Sequence, residues 1–130
     1  MLRYLIPLAL SLAACASVPA TSPRLANPVI DTDFPDPAAI RAADGYYYVY
    51  ATQGGPIRNI QVARSTDLMR WEMLGDALPA KPAWASKTQD FWAPDVIAAD
   101  GRYYLYYSAK PDAAFSDPKR GLCLAVATAD

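Results

Sequence analysis

The chain has 130 residues, a formal net charge of −1, two cysteines and no histidine. This balance of charge gives no electrostatic reason to expect a nucleic acid or an anionic membrane surface as partner. Without histidine and with so few thiols, zinc sites and serine–histidine or cysteine–histidine nucleophiles are excluded within the chain. No glycine-rich phosphate loop is present, so a nucleotide cofactor is not expected.

The first residues have the features of an export signal. Arg3 precedes an apolar run over residues 5–12, too short to span a bilayer comfortably, and Leu12-Ala13-Ala14-Cys15 follows. This resembles a bacterial lipoprotein signal, in which residues 1–14 are removed and Cys15 becomes the lipidated first residue. An ordinary secretory peptide cut after Ala16 or Ala20 is the alternative. Both predict export, and the lipoprotein interpretation predicts an envelope protein that contacts the membrane only through its lipid anchor.

Residues 15–28 are rich in Ser, Thr, Pro and Ala, a composition typical of a flexible tether. The remaining residues, 29–130, are enough for one small domain. Cys123 lies in the apolar run of residues 122–127 and is predicted to pack as a small buried hydrophobic residue.

Short β-strands separated by turns are predicted along this domain. Residues 46–52 and 103–109 are dense in tyrosine, a composition that favours strands. The dipeptides Asp44-Gly45 and Asp100-Gly101 are hairpin turns, so an antiparallel partner is predicted before each strand, over residues 38–41 and 96–98. The apolar segments 60–65 and 122–128 are predicted as third strands, and residues 71–74 as a fourth, outer strand. No segment has sustained helical periodicity.

A unit of about four antiparallel strands that recurs with a period of about sixty residues is typical of a β-propeller blade. A propeller needs at least about four blades to close, and the chain supplies fewer than two. We therefore expect a fragment of a longer protein, the alternative being a small sandwich that resembles blades. An open sheet would leave edge strands unpaired and prone to aggregation.

Each tyrosine-rich unit follows an aspartate that is adjacent to proline and close to aromatic residues. The first motif is Asp33-Phe34-Pro35-Asp36-Pro37 and the second is Phe91-Trp92-Ala93-Pro94-Asp95. We expect the two acids to occupy equivalent places in the repeat. A repeated aspartate before a repeated β unit suggests a carbohydrate-cleaving site. Inverting glycoside hydrolysis needs a base and an acid roughly 6.5 to 9.5 Å apart. A further carboxylate nearby raises the pKa of the acid, and the prolines restrict the backbone that aims each side chain.

These motifs, together with Asn27-Pro28-Val29-Ile30, the Asp-Gly-Tyr-Tyr strand and Ser65-Thr66-Asp67-Leu68 leading to Trp71-Glu72, resemble glycoside hydrolase family 43 from about Asn27 to the end. The resemblance implies an all-β, five-bladed propeller, of which the chain covers about one and a half to two blades. It implies inverting hydrolysis of plant cell-wall arabinan, arabinoxylan or xylan, with an oligo- or polysaccharide as substrate. Some members hold calcium at the propeller axis, although nothing in this sequence identifies a calcium site.

The resemblance also assigns roles to the acids. It implies that Asp36 is the general base that activates water, and that Asp95 orients the general acid and raises its pKa. The general acid itself, a glutamate, has no counterpart. Glu72 is the only glutamate in the chain and belongs to the predicted outer strand. We therefore expect the fragment alone to be inactive.

Five residues are predicted to contact substrate. Trp92 is the preferred aromatic platform because it lies in the second acidic motif, and Phe34 and Phe91 share such a position. Trp84 is predicted to line a further subsite, and Gln53 to bond sugar hydroxyls. A packing role is the alternative for each.

The aspartates and the function each have an alternative interpretation. Asp36 taken alone is typical of a turn residue. Asp31 and Asp33 are close enough to compete with it as base, but neither precedes a proline, so both are predicted to be loop residues. Asp44 and Asp100 are predicted to be hairpin residues, and Asp67 to cap a turn. An exported carbohydrate-binding lipoprotein without catalysis is the alternative function. A propeller that acts on fructose-containing sugars is disfavoured by the Trp-Ala-Pro-Asp run.

Overall fold

A computed structural model describes residues 25–54, 59–87, 90–113 and 121–130. Seven β-strands and one 3-10 helix, Ala83–Ala85, make up the regular structure of these residues. The strands are β1 (Ala38–Arg41), β2 (Tyr47–Ala51), β3 (Gln61–Ser65), β4 (Glu72–Asp76), β5 (Phe91–Ala99), β6 (Arg102–Ala109) and β7 (Cys123–Ala129). The described residues contain no helix long and apolar enough to cross a membrane.

The strands form two antiparallel sheets in chain order. The first sheet has the order β1-β2-β3-β4, and the second has the order β5-β6-β7. The prediction of a four-stranded unit followed by a second, similar unit is therefore confirmed. The strand that differs most from its predicted range is β5, which begins at Phe91 rather than at Val96. It continues through the second acidic motif, since a β-bulge between Trp92 and Asp95 absorbs the proline without ending the pairing.

The two predicted hairpin turns differ in detail. Asp100 and Gly101 both have positive φ, 51° and 75°, and they alone separate the paired residues Ala99 and Arg102. Such a turn matches the right-handed twist of the flanking strands. In the first sheet the loop is longer, and the Asp44 carboxylate accepts hydrogen bonds from Tyr46 N at 3.0 Å and from the Tyr48 hydroxyl at 2.8 Å. The predicted structural roles of Asp44 and Asp100 are thus confirmed.

The turn between β3 and β4 is organised by Asp67. Its Oδ1 accepts hydrogen bonds from Met69 N at 2.9 Å and from Arg70 N at 2.8 Å. These backbone donors, the one from Arg70 foremost, lower the pKa of Asp67 to about 2. The prediction that Asp67 caps this turn is confirmed.

The core lies where the two sheets face each other, since β5 contacts both β1 and β2. Its largest fully buried apolar side chains are Phe91 and Ile60. Burying such a side chain stabilises the folded state by roughly 1.5–3 kcal/mol. The other buried members of this cluster are Ala85, Val96, Leu105, Tyr107 and Ala109. The sheets are also tied at their hairpin end, where Ala43 N donates a hydrogen bond to the Tyr103 hydroxyl oxygen at 3.0 Å.

Cys123 is exposed, so the prediction of a buried thiol is wrong. The residue begins β7, which pairs with β6 alone among the described strands. Leu124 and Val126 are likewise exposed, by 76% and 50%. An apolar run does not show which side of a strand is buried, and in β7 Ala125 and Ala127 are the residues that pack against the core.

Candidate active site

Asp36 lies just before β1 and is positioned by the end of β2. Its backbone has φ of 51°, a left-handed conformation that aspartate tolerates better than most residues. The Thr52 hydroxyl donates a hydrogen bond to Asp36 Oδ2 at 2.7 Å. Thr52 N donates to the carbonyl oxygen of Pro35 at 3.0 Å. A single residue therefore fixes both the backbone and the carboxylate of the first motif, while Asp36 remains solvent-exposed.

Asp95 lies in β5, directly after the bulge. Trp92 is opposite Ser108 and Asp95 is opposite Tyr106, so two residues of β5 face one residue of β6. Ala93, within the bulge, has φ of 49°, which is uncommon for a residue with a Cβ. A bulge changes the direction in which the following side chains point. The Asp95 carboxylate is exposed, and its Oδ1 accepts a hydrogen bond from Val96 N at 2.9 Å.

One hydroxyl group joins the two motifs. Besides donating to Asp36, Thr52 Oγ1 accepts a hydrogen bond from Ala93 N at 2.8 Å. The chain Asp36–Thr52–Ala93 therefore runs from the first sheet to the bulge that precedes Asp95. Thr52 is only 8% exposed, so water competes little for these bonds.

Contacts of two glutamines, the buried Gln61 and the half-buried Gln53, support this bridge. Gln61 is 2% exposed, and its Nε2 donates to the carbonyl oxygens of Thr52 and Asp33, both at 3.0 Å. Gln53 N donates to the carbonyl oxygen of Phe91 at 3.1 Å, and Phe91 N donates back to Gln53 Oε1 at 3.0 Å. The segments that carry the two acids are thus held together by polar groups at the end of β2.

The two acids do not occupy equivalent places, contrary to the expectation from the repeat. Tyr50 and Tyr106 each stand five residues after the turn glycine, Gly45 or Gly101. Ala38 pairs with Tyr50, whereas Asp95 pairs with Tyr106. Asp95 therefore corresponds to Ala38, and Asp36 corresponds to Ala93, which also precedes a proline and has nearly the same φ. Asp95 thus lies two residues later in its repeat than Asp36 does in the first.

The predicted aromatic contacts separate into two groups. Trp92 is 42% exposed beside the bulge, and Phe34 is half-buried near Asp36. Phe91 is fully buried, with its ring centroid 5.8 Å from that of Tyr107, so the prediction that its side chain contacts substrate is wrong. The alternating pleat of β5 places it on the core side. Trp84 is half-buried and packs against the core cluster.

The residues that join the motifs were missed from the sequence. The sequence predicts Thr52 only as the end of the strand over residues 46–52, and Gln61 only as part of the apolar segment 60–65. The signal that the sequence offers is the polar pair Thr52-Gln53, which directly follows a tyrosine-rich strand. Gln53 itself was expected to bond sugar hydroxyls, and its Oε1 is instead engaged by Phe91 N.

Other features of the described residues bear on the choice of site. The described residues contain no group of three or more His, Cys, Asp or Glu residues that could hold a metal ion. A cavity of about 800 Å³ lies at the other end of the strands, among the hairpin turns, and its lining includes Asp44, Asp100 and Arg102. We place the candidate site at Asp36 and Asp95, whose motifs are connected by Thr52, because Asp44 and Asp100 form the hairpin turns.

Comparisons with known proteins agree on one family. Residues 25–130 match the family model described as glycosyl hydrolases family 43. An extracellular endo-α-(1→5)-L-arabinanase from Thermotoga petrophila is 37% identical over 106 residues, which cover 70% of this chain and 20% of that protein.

Solved structures of relatives share the fold. The endo-arabinase of Bacteroides thetaiotaomicron superposes with a TM-score of 0.58 at 28% identity, over 75% of this chain and 31% of the other. The α-L-arabinanase of Cellvibrio cellulosa, solved with arabinohexaose, gives 0.57 at 29% identity, over 74% of this chain and 29% of the other. These relatives are five-bladed β-propellers, and the described residues supply one four-stranded blade and three strands of a second. The chain thus spans about a fifth to a third of the length of its relatives, and it belongs to glycosyl hydrolases family 43.

Proposed function

We propose that the full-length protein containing this chain is an exported glycosidase that hydrolyses arabinan with inversion of configuration. The observation that carries the proposal is the connection of Asp36 to the Asp95 motif through the buried Thr52 hydroxyl. Relatives named as arabinanases, one of them solved with arabinohexaose, support arabinan as the substrate. Arabinoxylan and xylan are less favoured, because relatives at 37% and 40% sequence identity are named for arabinan.

In the proposed mechanism Asp36 is the general base. Its carboxylate takes a proton from a water molecule as the water oxygen forms a bond to the anomeric carbon. The glycosidic C–O bond breaks, and the leaving oxygen takes a proton from the general acid. Asp36 can accept a proton from this water because its carboxylate is exposed, while Thr52 holds one of its oxygens in place. Asp95 would orient the general acid and raise its pKa by like-charge repulsion.

The general acid is proposed to come from outside residues 25–130. Glu72 is unsuitable because it lies on β4, the strand of the first sheet farthest from β1. Its carboxylate pairs with Arg64 Nε at 2.7 Å and is 61% exposed.

Substrate would lie over the end of the strands that carries the two acids. Trp92 offers an apolar ring beside Asp95, and such rings bind the C–H faces of sugars. Phe34 offers a smaller surface beside Asp36. Trp84 and Gln53 would contribute to outer subsites only through the parts of their side chains that packing leaves open.

Export and lipid attachment are further parts of the proposal. Residues 1–24, including Cys15, lie outside the described residues. Two relatives are named extracellular, which supports export. Lipid attachment at Cys15 is tested by labelling cells with palmitate and comparing the wild-type protein with Cys15→Ser. Label on the wild type alone is expected, and an unlabelled wild type would overturn the anchor.

The catalytic proposal is tested with the full-length protein on linear arabinan, by measuring new reducing ends. Asp36→Asn should lower kcat by about 10²–10⁴-fold, the contribution typical of a general base, with oligosaccharide binding retained. Asp33→Asn is the matched control, an exposed aspartate of the same motif that should leave kcat within about threefold. Binding of arabino-oligosaccharides without any hydrolysis by the wild type would favour the non-catalytic binding protein instead.

A further inference from the structure

We propose that Thr52 is a positioning residue for the reaction, which holds the base Asp36 and the bulge before Asp95 in one fixed arrangement. The inference rests on the proposed function, because it assumes that Asp36 is the base. It adds a residue that neither the motifs nor the relatives' names identify.

The contacts of Thr52 support this role. Its hydroxyl donates to Asp36 Oδ2 at 2.7 Å and accepts from Ala93 N at 2.8 Å. The single hydroxyl proton must point at the carboxylate, because the amide of Ala93 supplies its own proton to the lone pair of Thr52 Oγ1. The direction of both hydrogen bonds is therefore fixed. Asp36 accepts one of them, as a carboxylate that acts as a base can do.

The backbone of Thr52 is held as firmly as its side chain. Thr52 N donates to the carbonyl oxygen of Pro35, and its carbonyl oxygen accepts from Gln61 Nε2 at 3.0 Å. With both backbone groups and the hydroxyl engaged, Thr52 has little freedom to change its rotamer. It follows β2 directly, so the rigid sheet transmits its position to both acidic motifs.

The bridge matters because the two motifs come from different sheets. Asp36 precedes β1 and Asp95 lies in β5, and no strand pairing joins these strands. Asp36 and Ala93 both adopt φ near 50°, a conformation that costs free energy and persists only where the surroundings impose it. Thr52 binds one group in each of these residues. Its loss would let the base and the bulge move independently, and a misplacement of about 1 Å costs on the order of 10²-fold in rate.

The test compares two substitutions in the full-length protein. Thr52→Val keeps the shape and removes the hydroxyl, whereas Thr52→Ser keeps the hydroxyl. We expect Thr52→Val to lower kcat on arabino-oligosaccharides by about 10–100-fold with KM changed by less than about threefold. Thr52→Ser should recover kcat to within about threefold of the wild type. Thr52→Ala is made in parallel, because a valine methyl beside the Asp36 carboxylate could prevent folding.

Ser65→Ala serves as the control for loss of a buried hydroxyl. Ser65 is 3% exposed, and its Oγ accepts from Leu68 N at 2.9 Å in the β3–β4 turn, away from the acids. This variant should lower Tm while leaving kcat unchanged, so a general loss of stability would not imitate the effect at Thr52. The proposal is overturned if Thr52→Val and Thr52→Ala both turn over at the wild-type rate, or if Thr52→Ser loses as much kcat as Thr52→Val.

Failure of the proposed function would look different. If Asp36→Asn keeps full activity, the assignment of the base fails whatever Thr52 does. If the wild type does not cleave arabinan, the proposed substrate fails. If Asp36→Asn is inactive and Thr52→Val is fully active, the base stands and only the positioning role fails.

Discussion

Gln53 and Phe91 exchange two hydrogen bonds between the two sheets. Gln53 N donates to the Phe91 carbonyl oxygen at 3.1 Å, and Phe91 N donates to Gln53 Oε1 at 3.0 Å. Gln53 thus pairs with the backbone of Phe91, the first residue of β5, in the way that a residue of a neighbouring antiparallel strand would. The Phe91 ring is fully buried beneath this contact, so the pair fixes both where β5 begins and which of its faces enters the core.

Substitution of Gln53 should destabilise the protein through an unpaired backbone group. Gln53→Leu keeps the size of the side chain and leaves Phe91 N without its acceptor, which costs about 1–3 kcal/mol. Gln53→Glu retains the acceptor oxygen and serves as the control. Chemical denaturation of the full-length protein measures the difference. Equal stability of the leucine and glutamate variants would contradict the structural role of this bond.

Gly54 should not tolerate a larger residue. A Cβ at this position would fall on the Gln61 side-chain amide, on Nε2 and the atoms beside it. Gln61 is buried, and its Nε2 holds the carbonyl oxygens of Asp33 and Thr52, so it cannot move aside without releasing the first motif. Gly54→Ala should therefore cost about 1–3 kcal/mol, as overpacking typically does, and should lower kcat as well.

Gly121→Ala is the control for Gly54→Ala. Nothing lies within 4 Å of a Cβ built at Gly121, so this variant should match the wild type in both Tm and kcat. Thermal unfolding and kinetics on arabino-oligosaccharides are measured for both variants. A Gly54→Ala protein as stable and as active as Gly121→Ala would show that Gln61 is free to move.

Trp92 should contribute to substrate binding more than to stability. Its side chain is 42% exposed beside Asp95, so Trp92→Ala should raise KM for arabino-oligosaccharides by about tenfold, which corresponds to about 1.4 kcal/mol. Trp71→Ala is the matched control, because Trp71 lies in the outer turn and donates its indole N–H to Leu68 O at 3.2 Å. Isothermal titration and steady-state kinetics compare the two variants. An unchanged KM for Trp92→Ala would assign this ring to packing alone.

Asp67 should make the stability depend on pH in a defined window. Its pKa is lowered from the ordinary 3.8 to about 2 in the folded chain, so the folded state favours the ionised carboxylate more than the unfolded state does. The stabilisation is therefore fully present above about pH 4 and is lost as the pH falls through about 2. Denaturation midpoints of the wild type and of Asp67→Asn should differ at pH 6 and converge toward pH 2. A difference that stays constant with pH would contradict the assignment.

The strands were predictable because their signals are local. Tyrosine-rich segments after Asp44-Gly45 and Asp100-Gly101 correspond to β2 and β6, and β1 begins and ends where the turn chemistry predicted. Backbone preference and alternation of side chains act within a few residues. The start of β5 was not predictable in this way, because the second motif contains a proline, and only the bulge allows pairing through it.

The sequence by itself determined the class of the molecule and its candidate acids. Alternating strands and two Asp-Gly turns indicate an all-β domain, and the motifs around the two aspartates adjacent to proline resemble glycoside hydrolase family 43, since each of these signals depends on neighbouring residues. Only the tertiary structure decided that Phe91 belongs to the core and that Asp95 lies two residues later in its repeat than Asp36. It also decided that Thr52 connects Asp36 with the bulge before Asp95. Those facts depend on contacts between residues about 40 positions apart, such as Thr52 with Ala93, and local preferences carry no information about which distant groups will meet.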